Sequence, residues 1–160
     1  MYSIGDKIFY PMHGAGVIEA IEEKEVLGEK RQYYIMNLSL GKLHVMIPTQ
    51  KTTTLGVREI VNASVMENVL NLFSSDSDTE TVVHPNQRYR NNMDKMKTGD
   101  IYEGARVIRD LSRISKKKSL GTSDKLMLNN ARQILISELV LVNNMEEDQA
   151  SSYLNEVINK

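Results

Sequence analysis

Hydrophobic and polar positions change period partway along the chain. Up to residue 48, apolar residues come in short runs broken by glycine, the pattern of strands and tight turns. Residues 7–10 form a strand candidate stopped by Pro11, and Gly14-Ala15-Gly16 marks a turn. Residues 17–22 read as a second strand with Gly28 at the next turn. Residues 32–38 and 43–47 form a third and a fourth, joined by a hairpin at Gly41 and ended by Pro48. In the fourth, Leu43, Val45 and Ile47 alternate inward and leave His44 and Met46 on the other face. Short strands at this spacing predict a small antiparallel barrel or curled sheet.

From residue 63 the spacing becomes helical. Residues 63–73 place Val65, Val69, Leu72 and Phe73 on one side. Residues 74–81 contain no large apolar side chain and read as an exposed acidic linker. Start signals then delimit helices at 87–97, 101–117, 123–143 and 145–158. Asn86 is the first cap, Asp100 with Glu103 a capping box, Thr122 or Ser123 the next cap, and Asn144 with Glu147 a second box. Val107, Ile108, Leu111 and Ile114 form the buried stripe of the second of these helices. Met127, Ala131, Ile134, Leu135, Leu139 and Val142 form that of the third. The pattern predicts a two-domain α+β protein: a small antiparallel β-domain over 1–60, a short helix and linker over 61–84, and an all-α domain over 85–160.

Composition narrows the chemistry. With 41% hydrophobic and 26% charged residues, the chain is that of a globular protein. No apolar run reaches 18 residues and the N-terminus has no signal-peptide pattern, so a cytoplasmic protein without membrane contact is expected. The absence of cysteine excludes disulfides and thiolate zinc sites. His13, His44 and His84 have no partner at metal-ligand spacing. His13-Gly14-Ala15-Gly16 lacks the Lys-Ser/Thr ending of a P-loop and joins strands rather than opening a helix. A hydrolase or nuclease using Asp100 and Glu103 is the enzymatic alternative, but helix capping already accounts for both. No cofactor, metal or small-molecule substrate is expected.

Charge changes the picture most. The formal net charge is −1, yet residues 1–84 carry −4, residues 85–135 carry +7 and residues 136–160 carry −4. A positive block on an otherwise acidic chain suits a polyanion, because neutralising phosphates releases condensed counterions. Arg106, Arg109, Arg113 and Lys116 or Lys117 recur at helical spacing on the second helix, opposite Ile108 and Leu111. Lys125 and Arg132 lie two turns apart on the third helix, and Arg88, Arg90 and Lys95 lie on the first. Brought together, these stripes would form a patch for a phosphate backbone; taken separately, they are the solvated faces of amphipathic helices. The fourth strand offers a second surface. If it lies on a sheet edge, its backbone groups are open to a partner strand.

Several motifs together resemble the CarD family of bacterial transcription regulators. Gly5-Asp6, the run from Tyr10 to Gly16, Ile21-Glu22, Tyr33-Tyr34, Ile47-Pro48 and Gly56-Val57-Arg58 are similar to its RNA-polymerase-interacting domain, which transcription–repair coupling factors share. Arg88-Tyr89-Arg90, Arg109-Asp110-Leu111, the run from Lys125 to Leu128, the run from Ala131 to Leu135, and Glu138-Leu139 resemble its helical DNA-binding domain. The resemblance implies a Tudor/SH3-like N-terminal barrel that docks on the polymerase β subunit, partly by strand addition. It also implies a helical domain that contacts promoter DNA in the minor groove and along the phosphate backbone, upstream of the melted region. The expected outcome is a stabilised open complex, from a monomeric, nucleoid-associated protein with no catalytic activity. Lys24 matches one residue of a polymerase-facing basic pair, and Met46 stands where the second is expected. Pro85 stands where the family carries a wedge tryptophan, and the chain has no tryptophan. The rival reading is an adaptor of polymerase or ribosome whose helices bind protein and not DNA.

Overall fold

The computed structural model describes residues 1–75 and 84–159. Five strands come first: β1 (Lys7–Tyr10), β2 (Gly14–Val26), β3 (Glu29–Leu38), β4 (His44–Pro48) and β5 (Arg58–Glu59). Five α-helices follow: α1 (Ala63–Asn71), α2 (Pro85–Lys97), α3 (Ile101–Lys117), α4 (Thr122–Asn143) and α5 (Glu147–Ile158). The sheet is antiparallel in the order β4-β3-β2-β1-β5. Among the described residues no pairing joins β4 to β5, so the sheet is curled and open, not a closed barrel.

Strand positions follow the alternation, with four differences. β2 and β3 run beyond 17–22 and 32–38 to a turn at Leu27-Gly28, where both residues have positive φ. Their outer part is exposed on both faces, so no hydrophobic alternation marks it. The turn before β2 falls at residues 11–13, with Met12 at φ 73°, and Gly14-Ala15-Gly16 lies inside the strand. Gly16 is required there because a Cβ would stand 2.3 Å from the Asn37 carbonyl oxygen of β3. Leu43 precedes β4 and is exposed, leaving Val45 and Ile47 as its inward residues. β5 has only two residues, too few to show a period.

The helices lie close to their expected positions, but three caps differ. His84 caps α2 through Nδ1, which accepts from the Asn86 N–H at 3.3 Å, and Pro85 occupies N1. Asp100 caps α3 by accepting from the Tyr102 and Glu103 N–H groups, while Glu103 pairs with Arg106 and does not close a box. Gly121 precedes α4 without a side-chain cap. The last box is Glu146 with Gln149, and Asn144 instead ends α4 in the left-handed conformation. The acidic linker expected at 74–81 falls mostly outside the described residues.

Two hydrophobic clusters result. Ile8, Ile18, Tyr34, Met36, Ile47 and Val57 fill the inner face of the sheet. The larger cluster centres on α3 and α4, with Ile108, Leu111 and Leu139 fully buried. Met66, Val69, Leu70 and Phe73 bring α1 and the turn after it into this helical core; the expected Val65 and Leu72 are only partly buried.

The sheet and helices meet along α4. Ser137 Oγ accepts from the Ala15 N–H at 2.9 Å, and the Ser39 hydroxyl donates to the Ser137 carbonyl at 2.8 Å. One residue on, Glu138 is 1% exposed. Arg58 grips it bidentately, with Nη1–Oε2 at 2.8 Å and Nη2–Oε1 at 2.9 Å, and the Val61 N–H adds a third bond at 2.9 Å. Arg58 also donates from Nε to the Gly99 carbonyl, and its guanidinium lies 4.2 Å from the Phe9 ring centroid. Pro11 is wedged beside Gly99, where any Cβ would meet its ring at 2.7 Å.

A buried carboxylate with three donors stabilises only while all are present. Glu138→Ala strands Arg58 and the Val61 N–H, and should lower unfolding free energy by about 3 kcal/mol. Urea denaturation checks this; a loss under about 0.5 kcal/mol would mean the pair is replaceable by water.

Candidate docking face and nucleic-acid interface

β4 is an edge strand, so the expected open edge exists. Its register sets Met46 opposite Ile35, His44 opposite Asn37 and Pro48 opposite Tyr33. In the next pairing Lys24 faces Arg31, Glu22 faces Tyr33 and Ala20 faces Ile35. Cross-strand partners share a face, so Lys24, His44 and Met46 all lie on the outer side of one sheet. Tyr33 and Ile35, half-buried, lie between them. Neither was named as a docking residue from sequence, although Tyr33 belongs to a motif shared with the polymerase-interacting domain and the register places both on the face of Met46.

This outer face is partly apolar and ringed by neutralised charge. Met46 is 44% exposed. Lys24 pairs with Glu22 at 3.2 Å, Arg31 with Glu29 at 2.7 Å and His44 with Glu19 at 2.8 Å. The Glu29 carboxylate, by hydrogen bond and charge, raises the Arg31 pKa above its ordinary value. At its other end the same face carries Phe9, Ala15 and Arg58, where α4 covers it.

The nine basic and apolar candidates of the helical half divide by environment. Arg109 is 8% exposed and its Nε donates to Asp110 at 3.0 Å, so it is held inside α3's packing. Arg88 is committed to buried Asp124 through two bonds, at 2.6 and 3.1 Å. Arg106 pairs with Glu103, and Arg113 donates to the Ser75 carbonyl. The helical spacing of Arg106, Arg109 and Arg113 therefore does not make a free basic face. Sequence spacing could not reveal this, because α3 is enclosed by α1, α2 and α4 rather than packed on one side.

Of the remaining five, Pro85, Arg90, Lys125 and Arg132 border two adjacent grooves at one end of the helical half, and Lys95 does not. An open groove runs between the start of α2 and the α3–α4 connection, lined by Pro85, Tyr89, Arg90, Lys118, Thr122 and Ser123. A second groove beside it is lined by Ser115, Ser119, Lys125, Asn129 and Arg132. Arg90, Lys118 and Lys125 are exposed; Arg132 is half-buried and bonded to Asn155. Lys95 is half-buried on α2. The first turns of α2 and α4 both border the first groove, adding positive helix-end potential to it. Lys118, unremarked in the sequence reading, follows the expected Lys116 and Lys117 and is the one of the three that reaches the groove.

Among the described residues, no three His, Asp or Glu side chains are grouped to hold a metal. The cleft between Phe9 and the helices encloses only ≈ 20 Å³, room for about one water. No helix among the described residues is long and apolar enough to cross a membrane.

Both halves match known families. Residues 2–61 match the CarD-like/TRCF RID domain, and residues 68–155 match the CarD C-terminal domain. The chain belongs to the CarD family. The chain is 46% identical over 153 residues to the "Putative transcription factor YdeB" of Bacillus subtilis (strain 168), covering 96% of this chain and 99% of that protein. A solution structure of the N-terminal domain of Myxococcus xanthus CarD is 34% identical, covering 37% of this chain and 79% of that one, with a TM-score of 0.33. A transcription-related role follows from membership of this CarD-like transcription factor family.

The division between internal and outward basic residues is measurable. Arg88→Gln leaves Asp124 buried without its cation and should cost about 3 kcal/mol, a fall in Tm of roughly 6–12 °C. Arg90→Gln should leave Tm within about 2 °C. Equal shifts in a calorimetric scan would show that Arg88 too is a surface residue in solution.

Proposed function

We propose that this CarD-family chain is a transcription regulator that binds the RNA polymerase β subunit with its sheet and promoter DNA with its helices. By holding both, it stabilises the open promoter complex. The open edge of β4, with Lys24, His44 and Met46 on one face, supports docking by strand addition on a Tudor-like domain comprising residues 1–60. Arg90, Lys125, Arg132 and Lys118, bordering adjacent grooves, support phosphate contact upstream of the melted region. Pro85 is exposed at the rim of the first groove, where an apolar ring can meet a base step, although it offers less stacking surface than an aromatic side chain. Arg88, Arg106, Arg109 and Arg113 serve the fold, and residues 85–160 are the DNA-binding domain. The observation that carries the proposal is the family match across both halves, joined by a buried ion pair.

Tethering supplies what intrinsic affinity lacks. A few backbone contacts give a non-specific Kd on the order of 10⁻⁴–10⁻⁶ M at physiological salt. Docking on polymerase raises the effective concentration of the helical half at upstream DNA.

Two variants separate the surfaces. Met46→Glu places a charge on the docking face without touching inward Val45 or Ile47; capture of the β subunit should fall at least tenfold while DNA affinity is kept. Arg90→Glu with Lys125→Glu should weaken binding to all duplex sequences about equally and flatten the salt dependence by about one to two phosphate equivalents. Open-complex lifetime on one promoter should shorten with either change. Wild-type protein that captures the β subunit but neither binds DNA nor lengthens that lifetime would favour the protein-adaptor reading instead.

A further inference from the structure

Arg109, Ser112, Arg113 and Lys116 follow one another on α3 at helical spacing, which puts all four on one face. That face is not spread over solvent. Together with Phe73, Ser74 and Ser75 after α1, and Ile158 at the end of α5, it lines a pocket of ≈ 270 Å³. Arg109 and Ser112 are buried, as are Phe73 and Ile158, while Ser74 and Lys116 are exposed. The described residues that line the pocket thus supply three cations, three hydroxyls and an apolar wall, with no carboxylate among them. The cations are held in place from behind. Arg109 Nε donates to Asp110, Arg113 donates to the Ser75 carbonyl, and Lys116 Nζ stands 3.5 Å from the Ile158 carbonyl.

We propose that this pocket binds a small organic phosphate by its terminal monoester group. The proposal goes beyond polymerase and DNA contact and depends on neither. Two guanidinium forks and an ammonium match the three terminal oxygens of a phosphate, and the hydroxyls of Ser74, Ser75 and Ser112 can donate to the same group. A monoester carries a charge of about −1.5 to −2 at neutral pH. It is a stronger acceptor than the neutral carbonyls that Arg113 and Lys116 now meet. A phosphate of the DNA backbone suits the pocket less well. It carries a single charge and has a sugar on both sides, so it cannot bring its oxygens to a buried guanidinium. The volume is below that of most drug-sized sites, which selects a small ligand over a polymer. Phe73 and Ile158 provide apolar contact for the carbon part of the ester. Bound there, the ligand would tie α3 to the ends of α1 and α5.

The test uses the full chain and reads binding by titration calorimetry at fixed ionic strength. The probes are methyl phosphate, a monoester, and dimethyl phosphate, a diester like the DNA backbone. Methyl phosphate should bind with a Kd on the order of 1 mM or tighter, and dimethyl phosphate at least about tenfold more weakly. Arg113→Gln and Lys116→Gln should each weaken methyl phosphate about tenfold. Ser112→Ala removes a hydroxyl without removing a charge and should weaken it about threefold. Lys117→Gln removes the same charge from an exposed neighbour outside the pocket and should change affinity less than about twofold. Should Arg113→Gln fail to fold, Lys116→Gln and Ser112→Ala carry the test. Absence of methyl phosphate binding at about 10 mM overturns the proposal. Equal affinity for the two probes, or an equal loss in Lys117→Gln, reduces the site to diffuse positive potential and overturns it too. Lys116→Gln that loses duplex DNA but keeps methyl phosphate assigns the pocket to DNA contact, which also overturns it.

Discussion

Glu138 is the constraint on which the arrangement of this protein depends. A carboxylate 1% exposed is costly unless it is paired and hydrogen-bonded, and here two guanidinium N–H groups and one backbone N–H reach both of its oxygens. The donors come from the last strand of the sheet and the segment just after it, and the acceptor from the C-terminal third of α4. Moving the sheet relative to α4 would break three bonds to one buried charge at once. Planar, bidentate recognition also fixes orientation as well as distance, which a lysine at position 58 would not do. The neighbouring Ser137 contacts and the Pro11–Gly99 approach act in the same direction.

That junction makes the relation between the two outer surfaces a property of the fold. The outer face of the sheet is covered by α4 at one end and open at the other, where Tyr33, Ile35 and Met46 lie. α4 itself continues away from the junction to the exposed residues of its first turns. One helix therefore spans the distance from the sheet to the basic end of the helical half. In a regulator proposed to bridge two partners, such an element transmits position without relying on a flexible connection. A rigid bridge also loses less conformational entropy on binding its second partner, which favours a weakly binding DNA surface.

The basic residues show how a tertiary environment sorts one charge type into two uses. Twelve Lys and Arg residues lie in residues 85–135. The arginines of α3 are held within the packing or paired, as Arg109 is beside Asp110 and Arg113 on the Ser75 carbonyl, while Lys116 and Lys117 at the end of the helix are exposed. Arg88 at the start of α2 is likewise bound to Asp124, whereas Arg90, Lys118 and Lys125 nearby are exposed to water. Positive potential is thus concentrated at one end of the helical half and not along the amphipathic stripe of α3.

The sequence by itself determined the elements and their local chemistry. The change from period 2 to period 3.6 fixed where strands give way to helices, Asp100 marked the start of α3, and the ordered motifs of both halves marked the family. These are local signals, carried by residues a few positions apart. It did not determine the outer β2–β3 ribbon, which faces no core and shows no alternation, or β5, which is too short to have a period. The pairing of Arg58 with Glu138 joins residues 80 positions apart, and no local pattern encodes it. Nor could spacing show that Arg88 and Arg109 are internal, since the helical period gives a residue's direction on its own helix but not what stands opposite. Whether a charge meets water, a carboxylate or a phosphate is decided by packing, and packing exists only once distant segments have come together.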